Sequence, residues 1–202
     1  MITAYDYTQA QIACSAGIDT ILVGDSLGQV IQGNATTIPV TIADMCYHTK
    51  CVAKGASCFI VSDMPFGSCA SEDLAIAGAI QLMQAGAHMV KMEGGSNLVP
   101  IIAKLKTIGI PCCAHLGLTP QFVHQMGGYK IQGKKQSDAD LLLQNAQLLD
   151  DAGADFILLE CVPKQVAITI CQSVSCPVIA IGCYAITDAQ VLVWYDVVGM
   201  TK

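Results

Sequence analysis

The fold class this sequence predicts is α/β, a (β/α)8 TIM-type barrel, and three observations carry it. A short apolar run introduced by Gly and ended by a carboxylate occurs four times: Gly17 to Asp25, Gly55 to Asp63, Gly86 to Glu93 and Gly153 to Glu160, at spacings of 8, 8, 7 and 7 residues. The runs are rich in Val, Ile and Leu, as strands buried on both faces are. Helical patterns separate them and no hairpin signal intervenes, which is the alternation of parallel βαβ units. Parallel strands would bring all four acids out at one end of the sheet, the end where such barrels keep their chemistry. An open doubly wound sheet competes, but the Gly-rich phosphate turn it wants after its first strand is missing.

Taken in order, residues 1–5 form a strand that ends at Asp6, and 7–16 a helix with Cys14 and Ala16 turned inward. The second strand, 20–24, delivers Asp25 and Ser26, and a polar loop covers 27–39. Thr41 caps a helix to Lys54; strand 57–62 delivers Asp63; Ser71 opens a helix through Gln84, its Glu72 and Asp73 well placed against the helix dipole. Strand 89–93 ends at Glu93, a helix spans 97–107, and strand 111–114 delivers His115. Residues 116–136 carry four Gly and three Lys and read as a long mobile active-site loop. Ser137 then caps a helix over 138–151, strand 156–159 runs into Glu160, residues 165–173 are helical, and strands follow at 177–181 and 191–195. That makes one domain, 1–202, which begins directly on a strand and stops where an eighth helix would start. The reading is of a barrel trimmed at both ends, with Val191, Val193 and Trp194 uncovered and the monomer marginal.

Composition narrows the function. A hydrophobic fraction of 53% supports a large core, and no apolar run is long enough for a membrane span. With no leader pattern at its start, the chain is expected in the cytoplasm. Net charge −6 argues against nucleic acid and anionic membranes. All ten basic residues are Lys, so the bidentate Arg clamp for phosphate or carboxylate is absent. The eleven Cys include no C-x-x-C, and Cys58, Cys112, Cys113 and Cys161 fall in apparent strands, where they read as small hydrophobes.

Asp25, Asp63 and Glu93 offer hard oxygen donors, a set suited to Mg2+ or Mn2+ rather than zinc. Lys91 lies two residues before Glu93 and shares its face of the strand. Glu160 stands apart and is available as a base. His115 ends a strand, Ser26 adjoins Asp25, and His48, His88 and His124 receive no role. Metal, Lys and a separate carboxylate form a kit for enolate chemistry on a small 2-oxo acid. The electrophile stays open at this point.

The motifs ITAYDY, ILVGDSLG, TIPVT-x3-M-x2-HT, DMPF, VKMEGG, AHLGLTPQ, GGYKIQGK and LLECVP, spread in order over nearly the whole chain, resemble those of the ketopantoate (3-methyl-2-oxobutanoate) hydroxymethyltransferase family. The resemblance implies a (β/α)8 barrel, a homo-oligomer, Mg2+, and transfer of a hydroxymethyl group from 5,10-methylenetetrahydrofolate to 3-methyl-2-oxobutanoate. It assigns Asp25, Asp63 and Glu93 to the metal, Asp25, Ser26, Asp63, Lys91 and His115 to the 2-oxo acid, and Glu160 to the catalytic base. The chain departs from the family pattern at Ala180, Tyr184 and Ala189, where the family has Gly, and in lacking Arg. At position 184 a side chain in place of Gly is expected to strain the loop or crowd the folate side. Two other readings are a non-catalytic remnant of the same family and a lyase or mutase of the phosphoenolpyruvate mutase/isocitrate lyase type. The second would want an Arg and a Cys-bearing loop.

Overall fold

The structure, a computed structural model, describes residues 1–201. Eight parallel strands lie in one sheet in sequence order, and helices separate all but the last two. The contacts divide into two compact units, one of residues 1–91 with the segment from Val191 on, the other of Met92–Gln190.

In the first unit, β1 (Ile2–Thr3) pairs with β2 (Thr20–Val23), and β2 with β3 (Phe59–Asp63). The register sets Asp63, the last residue of β3, opposite Lys91 of β4 (Met89–Glu93). Helix α1 (Tyr7–Ser15) is capped by Asp6, whose carboxylate accepts from Gln9 N–H at 2.8 Å. It buries Gln9, Ala10 and Ala13, whereas Ala16 is exposed and Cys14 half-buried. The inward face is therefore carried by Gln9, Ala10 and Ala13 rather than by Cys14 and Ala16. The span 27–39 is not all loop: α2 (Leu27–Val30) makes one turn and buries Leu27 completely. Helix α3 (Ile42–Gly55) starts with a reciprocal capping box between Thr41 and Asp44, and α4 (Glu72–Gln84) with Ser71 accepting from Leu74 N–H.

In the second unit, α5 (Val99–Thr107) leads to β5 (Cys112–Gly117), all six residues of which are buried. His115 thus sits inside the strand rather than just past it. Residues 116–126 contradict the expectation of a long loop. Leu116, Leu118 and Val123 are buried, Pro120–Phe122 form a 3-10 turn, and α6 (Val123–Met126) ends at Gly127. The Gly and Lys of 127–136 coloured the whole span polar; apolar residues two to five apart had marked its first half as core. Helix α7 (Gln136–Ala152) ends on Gly153 at φ +101°. Beyond it come β6 (Phe156–Glu160), α8 (Lys164–Cys171), β7 (Val178–Ile181) and β8 (Ala189–Gln190).

The last strand falls earlier than expected. Residues 191–195 are not β8; Leu192 bridges in parallel to Ile2, and Trp194–Val197 form the one-turn helix α9. Val191 is buried at 2%, and Val193 and Trp194 are half-buried, so none of the three is left fully in water. Tyr195 stacks on Tyr5 with ring centroids 6.1 Å apart. No helix among the described residues is long and apolar enough to cross a membrane.

Candidate active site

The expected residues fall into two groups, one in each unit. In the first, Asp25, Asp63 and Lys91 are buried at 4%, 3% and 4% exposure, and Ser26 is half-buried. Charges this deep require partners. The backbone N–H of Asp25 donates to Asp63 Oδ2 at 2.9 Å, and Lys91 Nζ lies 2.9 Å from Asp63 Oδ1. Asp63 is therefore held at both oxygens. Gly24 makes room for this turn: a Cβ there would meet Ser26 Oγ at 2.7 Å and Asp63 Oδ2 at 3.6 Å.

Tyr5 belongs to the group and was not singled out from the sequence. Its hydroxyl lies 2.9 Å from Ser26 Oγ. Burial pushes its phenol up to about 12, against the opposing hydrogen bond from Ser26, so it stays a neutral O–H at ordinary pH. Its backbone is fixed from both sides, by Gln9 Oε1 accepting from its N–H at 2.8 Å and by His48 Nδ1 at 2.6 Å from its carbonyl. His48, given no role, is a positioning residue here. The signal lay in ITAYDY: a Tyr at a strand end, two residues past β1.

The second group comprises Glu93, His115 and Glu160. His115, 2% exposed, has Nδ1 3.5 Å from Glu93 Oε1 and Nε2 3.3 Å from Glu160 Oε2. Glu160 does not stand apart from Glu93, since one imidazole bridges them. Gln121, also missed, donates its backbone N–H to Glu93 Oε2 at 2.9 Å. It was hidden inside the supposed loop. The Glu160 side chain keeps 21% exposure, against 1% for that of Glu93. Of the two carboxylates, Glu160 is the one open toward solvent.

The backbone around Glu160 is exacting. Gly117, at φ +91°, lies against the Glu160 carbonyl oxygen, where any Cβ would clash, and that carbonyl accepts from Leu118 N–H at 2.8 Å. The next residue, Cys161, has φ +50°, the only left-handed non-glycine among the described residues. Strain was expected at Tyr184 and is found at Cys161. Tyr184 is 59% exposed, with Lys164 Nζ 5.4 Å from its ring centroid.

The fit to a divalent cation rests on donor chemistry. Among the described residues no three His, Cys, Asp or Glu side chains form a preformed cage. Asp25 and Asp63 bring two buried carboxylates together with one ammonium, a hard, net-negative environment that suits Mg2+. Glu93 oxygens are engaged by His115 and Gln121, yet each carboxylate oxygen has a second lone pair to offer. Lys91 and Glu93, two residues apart on β4, point to the same side of that strand.

The family model described as ketopantoate hydroxymethyltransferase matches residues 1–202. The chain belongs to this family. It is 54% identical over 201 residues to the 3-methyl-2-oxobutanoate hydroxymethyltransferase 2 of Hahella chejuensis, covering 99% of this chain and 76% of that protein. It is 53% identical over 202 residues to the 3-methyl-2-oxobutanoate hydroxymethyltransferase of Shewanella denitrificans, with 100% and 76% covered. The ketopantoate hydroxymethyltransferase family is one of transferases, and the fold agrees with it. A putative phosphonomutase from Burkholderia cenocepacia superposes with a TM-score of 0.77 at 13% identity, over 98% of this chain and 86% of that one. A 2,3-dimethylmalate lyase of the PEP mutase/isocitrate lyase superfamily gives 0.71 at 17%, over 98% and 76%. At such identities the likeness shows the barrel fold alone.

Proposed function

We propose that this chain transfers a hydroxymethyl group from 5,10-methylenetetrahydrofolate to 3-methyl-2-oxobutanoate, giving 2-dehydropantoate, a step of pantothenate biosynthesis. The substrate is the one in the relatives' names, and the folate donor follows from the family resemblance. In this reading Asp25, Asp63 and Glu93 hold Mg2+. When bound, the metal supplies Lewis acidity toward the oxygens of a 2-oxo acid.

The chain's own groups do the rest. Lys91, oriented by Asp63, offers its ammonium to the anionic substrate, and Ser26, oriented by the Tyr5 hydroxyl, offers a hydrogen bond. Glu160 takes the proton from C3 of the 2-oxo acid; its Oε2 faces His115, which leaves Oε1 for that proton. His115 keeps the carboxylate turned and links it to the buried Glu93. Water releases the one-carbon unit from the folate as formaldehyde, both of its carbon–nitrogen bonds breaking and tetrahydrofolate leaving; the C3 nucleophile adds to that carbonyl carbon, and the new alkoxide takes up the proton held by Glu160. The observation that carries this reading is the accessible Glu160 at the end of β6, its carboxylate oriented by the His115 imidazole.

Exchange of the C3 hydrogen of 3-methyl-2-oxobutanoate with deuterated solvent, followed by NMR with Mg2+ present, tests it. Glu160→Gln should abolish the exchange while substrate binding stays close to that of the parent chain, because the amide keeps the shape and loses the proton affinity. Undiminished exchange in that variant removes Glu160 from the role.

A further inference from the structure

Two thiols meet at the opposite end of β3 from Asp63. Cys58 immediately precedes Phe59, the first residue of that strand, and Cys14 sits in the last turn of α1. Their sulfurs are 3.1 Å apart, about 1 Å beyond a disulfide bond. The backbone N–H of Ser57 also donates to Cys14 Sγ at 3.3 Å. Both thiols are half-buried and flanked by the exposed Ser15, Ser57 and Phe59, so a small reagent can reach them.

The two are chemically unequal. Burial pushes the Cys14 thiol up, but the hydrogen bonds from the Cys58 thiol and Ser57 outweigh it and leave it below the usual thiol value. Cys58 is pushed up to about 11, by burial first and then by its sulfur neighbour. Burial likewise raises Cys46, Cys161, Cys171, Cys176 and Cys183. Cys14 thus has the makings of an attacking thiolate, with Cys58 as its resolving partner.

We infer that Cys14 and Cys58 form a reversible dithiol–disulfide site, oxidised by low-molecular-weight disulfides, that clamps the end of α1 to the start of β3. The Cys14 thiolate attacks one sulfur of the reagent RS–SR, forming a mixed disulfide and releasing RS−. The Cys58 sulfur then attacks the Cys14 sulfur, gives its proton to the released thiolate, and expels the second RS−. Two protein thiols are oxidised and one small disulfide is reduced to two thiols. This site is independent of the reading of the strand-end acids, and with Cys58 and Asp63 at opposite ends of β3 it is not required for the chemistry.

The test is treatment of the full chain with glutathione disulfide, blocking of the remaining thiols in denaturant, and peptide mapping. A Cys14–Cys58 link is expected ahead of any other pair among the eleven cysteines. Closing a loop of this length should raise Tm on the order of 5 °C, and dithiothreitol should reverse the rise. Cys58→Ser should stop at a mixed disulfide of glutathione on Cys14, and Cys14→Ser should leave Cys58 unmodified over the same period. Another pair forming first, a link with no gain in Tm, or Cys58 reacting as fast in the Cys14→Ser chain as Cys14 does in its absence would each overturn the proposal.

Discussion

Replacing Lys91 by Met keeps a side chain of similar length on β4 and removes the ammonium from a pair whose side chains are only 5% and 4% exposed. At 2.9 Å, Coulomb attraction at an effective dielectric of about 20 comes to about 6 kcal/mol, part of which is offset by the desolvation of both charges. What the variant forfeits is set by Asp63, left buried beside Asp25 without its cation, and removing one partner of such a pair costs about 3–5 kcal/mol. Against a total stability of about 5–15 kcal/mol that is a large share. Urea unfolding followed by circular dichroism, in EDTA so that no divalent cation replaces the ammonium, measures it. Combining Lys91→Met with Asp63→Asn should recover much of the loss, since the amide oxygen still accepts from Asp25 N–H and the charge of Asp63 is removed together with its partner. A single variant that loses under about 1 kcal/mol, or a double variant no better than the single, would refute the pairing argument.

Gly117→Ala should cost about 2–5 kcal/mol in the same unfolding assay, because φ +91° and the Glu160 carbonyl both exclude a Cβ; a neutral result would contradict the register of β5 on β6. Asp44 and Asp150 give a prediction for acid. Hydrogen bonds from the Thr41 hydroxyl and N–H hold Asp44 below its usual 3.8, and for Asp150 the donors of Ser175 and Cys176 outweigh burial, with the same sign. A depressed folded-state value means the contribution is full above the unfolded-state value and disappears as pH falls through the folded one. Wild-type stability should therefore drop below about pH 4, and Asp150→Asn should flatten that drop slightly, Asp150 being only half-buried and Ser175 exposed. Superimposable pH profiles would rule it out.

The strand-end acids were legible because their signal is local: a Gly, a run of β-branched and aliphatic residues, and a carboxylate at fixed spacing need no tertiary information. Met89–Glu93 was bounded correctly from that pattern, and Ser71 and Thr41 caps from theirs. The contacts that organise each group were not legible. The bridging of Glu93 and Glu160 by His115 depends on β5 pairing with β6, and the Tyr5–Ser26 contact on β1 meeting β2. Gln121 contributes a backbone N–H, which no side-chain reading would find. Treating Cys58 and Cys161 as strand interior failed because both lie one residue outside their strands, where the chain turns and the thiol reaches partial solvent. The final strand was misplaced because Val191 to Tyr195 has the apolar pattern of a strand, while its apolar residues are spent on a single bridge and one helical turn.

The most direct test of the central claim is product formation by the chain itself. Purified protein, 3-methyl-2-oxobutanoate, 5,10-methylenetetrahydrofolate and Mg2+ are combined, and hydroxymethylated 2-oxo acid is followed by NMR. The account predicts product from the parent chain, none after Mg2+ is withdrawn with EDTA, and none from Glu160→Gln. Folded protein that forms no product with Mg2+ present, or a Glu160→Gln chain that turns over normally, would contradict it.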